Sequence, residues 1–118
     1  MLLRRALAEL LGSAFLAAAV VGSGIAASQL TQDKGLQLLE NSTATGAALI
    51  ALILALGPVS AAFNPVVTLV ERGLGAVSTT HAAVFVVVQL LGTSLGVVVA
   101  NLMYDEPAVT WSTHSRGG

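Results

Sequence analysis

The sequence contains no cysteine, which excludes disulfides, thiolate nucleophiles and cysteine metal sites. Charged residues make up only 9% of its 118 positions, too few to cover the surface of a soluble domain of that size. Five Lys or Arg are scattered along the chain and the formal net charge is −1. No basic face for nucleic acid can form, and no field would steer a charged ligand. Catalytic groupings are missing as well. Glu9, Asn64, His81 and Gln89 supply polar groups, but no activated serine, paired carboxylates or metal cluster can be assembled from them, and no cofactor is expected. His81 has no second ligand or acid at useful spacing, so it reads as an interfacial side chain.

What remains is apolar. The apolar classes supply 55% of the residues, and the mean hydropathy is +0.86. Uncharged runs cover residues 10–31, 41–70 and 82–104, each long enough to cross a hydrocarbon layer of about 30 Å. The chain is therefore expected to be an integral membrane protein embedded in a lipid bilayer. Arg4 and Arg5 followed by an apolar stretch and small residues imitate a secretory signal. Glu9, and an uncharged run longer than the usual signal core, favour a retained spanning helix instead.

The middle run is too long for one straight span. It is interrupted by Gly57 and Pro58, where a helix can end at little cost, and it restarts at Asn64 and Pro65. Asn64 can cap the new helix with its side-chain oxygen, and Pro65 suits the first helical position. From Asn64 to Arg72 is about 13 Å of helix, half a membrane. Asn64 would lie near mid-depth, with the positive end of a half-helix dipole there to favour neutral or anionic solutes. The non-helical backbone of residues 60–63 is tolerated at that depth only beside protein or a water-filled cavity.

The expected organisation is a single unit, residues 1–118. It comprises helices at about 5–30, 42–60 and 81–104, a re-entrant half-helix at 64–72 and a polar tail at 105–118. Asn41 or Ser42 is the expected cap of the second span, after a polar connection over residues 31–40. Small residues recur at helical spacing at Ala14, Ala18, Gly22 and Ala26, at Ala47, Ala51 and Ala55, and at Gly92, Gly96 and Ala100. Such rows allow close helix contact in lipid. Glu9, just inside the apolar region, must either face protein together with Ser13 or snorkel toward Arg5. Gln89 needs a hydrogen-bond partner if it is buried. Tyr104 and Trp111 suit the headgroup zone. An inside N-terminus places Arg4, Arg5 and Arg72 on the inner side against Lys34 and Arg116 outside, a weak bias toward a cytoplasmic start.

An acid early in the first helix, FNPVVT opening a half-helix after the second, and Gln89 with Gly92 in the third resemble the first half of the major intrinsic protein family, the aquaporins and aquaglyceroporins. The similarity covers nearly the whole chain. It implies an all-α membrane fold, half of an inverted-repeat channel in a bacterial-type plasma membrane. Passive flux of water, glycerol or arsenite-like hydroxides would follow the solute's own gradient. It further implies that Asn64, Pro65 and Val66, with Ala62 and Phe63 before them, face the solute, the Asn64 amide donating to it. Glu9 would brace the turn, and Gln89 would hold the helices around it.

Three departures accompany the resemblance. Val66 stands where the motif usually has alanine. The usual Ser-Gly-Ala-His-x-Asn-Pro is one residue shorter here and lacks both the glycine and the histidine. There is no second Asn-Pro pair and no arginine for the narrow region, so a conducting unit would require a complementary half or a second, inverted copy. The alternative is a non-conducting remnant, or a structural subunit packed against a larger partner.

Overall fold

A computed structural model describes residues 2–109, so expectations for Trp111 and Arg116 lie outside the described residues. Among the described residues four helices follow one another: α1 (Leu2–Leu30), α2 (Lys34–Leu56), α3 (Pro65–Gly73) and α4 (Thr79–Met103). Three of them, α1, α2 and α4, are long and apolar enough to cross a membrane, whereas α3 has nine residues and reaches only partway. This is the all-helical arrangement of three spans and one half-helix.

The second span starts earlier than expected, at Lys34 rather than near residue 42. Its cap is Asp33, whose Oδ1 accepts from the Leu36 amide at 3.0 Å, while the Thr31 hydroxyl accepts from the Asp33 amide at 3.1 Å. Asn41 is not a cap. Its Nδ2 donates to the Val20 carbonyl at 2.8 Å and to Ser23 Oγ at 3.0 Å, tying α2 to α1. The far end falls at the Gly57 and Pro58 break rather than at the outer boundary near residue 60. α2 stops at Leu56 because Pro58 has no N–H to donate to the carbonyl one turn back, and the amides of Val59 and Ser60 both return to Leu56.

α3 ends in a left-handed turn. Gly75 has φ 79°, its amide donates to the Arg72 carbonyl at 3.1 Å, and the Ala76 amide donates to Glu71 at 2.8 Å. Gly75→Ala is therefore expected to destabilise the chain by about 1 kcal/mol, seen as a lower thermal midpoint in detergent micelles. A stability equal to wild type would show that this turn is not held. Ser78 then caps α4, accepting from the His81 amide at 3.2 Å.

α1 and α4 form the packed centre. The buried face of α4 carries Ala82, Phe85, Gln89, Gly92, Gly96 and Ala100. A Cβ on Gly92 would overlap the Leu10 carbonyl oxygen, and one on Gly96 would overlap that of Ala14. The two backbones are in contact there. On α1 the buried face is Ala8, Glu9, Gly12, Ser13, Gly22 and Ala27, so that of the row beginning at Ala14 only Gly22 is buried. Gly22 lies against the Tyr104 ring, but Ala14 and Ala18 line an open apolar groove of about 570 Å³ with Phe15, Leu95 and Met103. Polar pairing chose the contact face, because Glu9 and Ser13 must be satisfied and alanines need not be. α2 buries no residue, and its Ala47, Ala51 and Ala55 are all exposed.

Candidate functional site

Residues 60–63 return from the end of α2 to the start of α3 as irregular backbone, and a single side chain collects their donors. Glu9 is fully buried. Its Oε2 accepts from Ser60 Oγ and from the Ala62 amide at 3.0 Å, and its Oε1 accepts from the Phe63 amide at 2.7 Å. Gln89 Nε2 donates to the same Oε1 at 2.8 Å and to Thr68 Oγ1 at 2.9 Å. One buried group thus joins α1, the turn, α3 and α4. The two alternatives for Glu9 are decided by this geometry: it faces protein. Arg5 lies elsewhere, with its guanidinium carbon 5.1 Å from the centroid of the Phe85 ring.

Glu9 takes the amides of Ala62 and Phe63, and the Leu56 carbonyl takes that of Ser60. Among the described residues, no hydrogen bond is accepted by the carbonyls of Ser60, Ala61 or Ala62. Asn64 follows, exposed and extended (φ −144°, ψ 129°), and its Oδ1 caps α3 by accepting from the Val66 amide at 2.8 Å. That bond fixes the amide plane and leaves Nδ2 as a donor with no partner among the described residues. Pro65 occupies the first helical position, and Val66 is 65% exposed beside Asn64. The exposed Asn64 thus offers one amide donor at the positive end of α3. A donor at a helix N-terminus suits a hydrogen-bond acceptor and disfavours a cation.

Phe63 does not share that surface with Ala62, Asn64 and Val66. It is 4% exposed, and its ring is turned into α1 against Gly12. Its carbonyl accepts from Ser13 Oγ at 3.4 Å. Ser60, Thr68 and Gly12 belong to the same assembly without having been singled out from the sequence. Thr68 is one turn past Asn64 on α3, and Gly12 one turn past Glu9 on α1, so helical spacing from the two marked polar residues would have found both. His81 takes no part. Its Nδ1 pairs with Ser78 Oγ at 2.9 Å, and its ring sits edge-on to Phe85, with centroids 6.0 Å apart.

Comparison with known proteins agrees with this arrangement. The family model described as Major intrinsic protein matches residues 1–116. The chain is also 46% identical over 118 residues to "Aquaglyceroporin AqpS" of Rhizobium meliloti (strain 1021), covering 99% of this chain and 51% of that protein. It thus spans about half the length of this curated relative. No solved structure matches. With an Asn-Pro half-helix braced by a buried glutamate, and with the family match running almost end to end, this chain belongs to the major intrinsic protein family, as an integral membrane protein.

Proposed function

We propose that this chain forms one half of a passive channel for small uncharged solutes, with Asn64 at its centre. The observation that carries the reading is the Glu9 bracket. By taking the amides of Ala62 and Phe63, it leaves the carbonyls of residues 60–62 and the Asn64 Nδ2 as a line of hydrogen-bonding groups for a solute in single file. Such backbone cannot face lipid at membrane depth, so the open side is to be covered by a complementary protein half or by an inverted second copy. Water, glycerol and arsenite-like hydroxides are the proposed solutes, and the name of the aquaglyceroporin relative supports the glycerol class. Family members are channels rather than enzymes, and no catalytic role is assigned to any residue here. The proposed location is a bacterial-type plasma membrane with the N-terminus in the cytoplasm, as the Arg4, Arg5 and Arg72 bias favours.

A second reading makes the chain a non-conducting remnant or a structural subunit packed against a partner. The exposure of the Ala47, Ala51 and Ala55 row on α2 favours it. Stopped-flow light scattering on proteoliposomes separates the two. Asn64→Asp keeps a good helix cap but replaces the free donor with an acceptor. Channel activity predicts water or glycerol flux above that of empty vesicles, reduced about tenfold by the variant. Background flux with insertion verified, persisting when a complementary half is co-reconstituted, would leave the structural reading.

A further inference from the structure

Phe63 has φ 60°, a left-handed conformation that bulky residues rarely adopt. Residues 60–63 include no glycine that could take this angle instead. Every part of Phe63 is held by one stretch of α1. Glu9 Oε1 accepts from its amide at 2.7 Å, Ser13 Oγ donates to its carbonyl at 3.4 Å, and its ring fills the space where a Gly12 side chain would begin. A Cβ on Gly12 would overlap three atoms of that ring. No other glycine among the described residues meets an aromatic ring so closely.

We propose that Gly12 and Phe63 form a lock that sets the direction of the Asn64 side chain, with Phe63 a positioning residue and not part of the solute surface. The ring in the Gly12 notch holds the backbone in a conformation it would otherwise leave. Because Phe63 immediately precedes Asn64, that conformation determines where the cap, and with it Nδ2, points. Glu9 grips only the N–H side of the turn, and rotation about the Phe63 backbone would still redirect Asn64 without the ring contact. The solute surface accordingly runs over the carbonyls of residues 60–62, skips the Phe63 side chain and resumes at Asn64 Nδ2.

The test reads the Asn64 side-chain amide directly, by NMR of ¹⁵N-labelled protein in micelles, with the resonances assigned through Asn64→Asp. Gly12→Ala is expected to shift the Asn64 side-chain resonances, because the new methyl group expels the ring. Phe63→Leu in the same chain is expected to return them toward wild type by making room for that methyl. Phe63→Gly adopts the left-handed angle freely but has no ring, and the lock predicts that it also shifts the Asn64 resonances. Wild-type resonances in either Gly12→Ala or Phe63→Gly would overturn the proposal, and so would failure of the double variant to restore them. If Gly12→Ala does not fold, Phe63→Gly decides alone. A flux arm, which rests on the channel reading, should follow the resonances, with about a tenfold loss in Gly12→Ala and recovery in the double variant. Absence of flux in every chain would count against the channel reading while leaving the NMR result to judge the lock.

Discussion

Glu9→Ala is expected to lower the unfolding free energy by about 4 kcal/mol or more, each of several buried donors costing roughly 1–3 kcal/mol when left unmade. The donors are the Ser60 hydroxyl, the amides of Ala62 and Phe63, and the Gln89 side-chain amide. All converge on a residue with no exposed surface. None has a second acceptor apart from Gln89, which keeps its bond to Thr68. Glu9→Gln is expected to lose about half as much. It keeps the shape and one accepting oxygen, but it points an NH₂ group at donors. The check is unfolding in mixed micelles followed by circular dichroism, with flux as a parallel measure. A Glu9→Ala chain within about 1 kcal/mol of wild type would mean that water replaces the carboxyl group at no penalty, and that the turn is not braced from α1.

That brace also explains which features were readable beforehand. The three spans follow from hydropathy and length alone, and α3 announces itself because Asn64 and Pro65 are a cap and a first-turn residue in succession. The inward face of α1 was legible from Glu9, since a buried acid is too costly to leave unpaired. Other features depended on competition between equivalent signals. Asp33, Asn41 and Ser42 are all good caps, and the choice fell to Asp33 because Asn41 is used in the bond to Val20 on α1. No local pattern records that tertiary bond. An alanine-rich helix similarly offers several small faces, so nothing local told the buried Gly12 and Gly22 from the half-buried Ala14 and Ala18.

Phe63 is buried against α1, whereas Asn64 and Val66 are exposed, and the cause of that difference is specific. The family resemblance implied the solute side for it. A left-handed φ reverses the side toward which the side chain projects, and nothing in a phenylalanine signals that angle. The compensating signal lies far away in sequence, at Gly12, and looks like one more small residue in a helix full of them.

Gly96→Ala is expected to destabilise the packed α1 and α4 pair by about 1–3 kcal/mol, although alanine is the better helix former. The sign is what tests the packing. In an unobstructed helix the same change gains up to about 1 kcal/mol, and Gly46 on α2, with nothing within 4 Å of an added Cβ, should behave that way. At Gly96 the added carbon meets the Ala14 carbonyl oxygen, with Ala17 Cβ 3.0 Å away, and neither a backbone oxygen nor a neighbouring methyl can rotate aside. The helices must separate, and Gln89, two turns back on the same face, would be drawn from Glu9. Gly96→Leu should enlarge the loss until α4 no longer docks. Measured in micelles against Gly46→Ala as the internal reference, opposite signs at the two glycines would establish backbone contact between α1 and α4. A gain at both would mean that the helices stand further apart than the Gly92 and Gly96 geometry requires, and the bond from Gln89 to Glu9 could not then be formed.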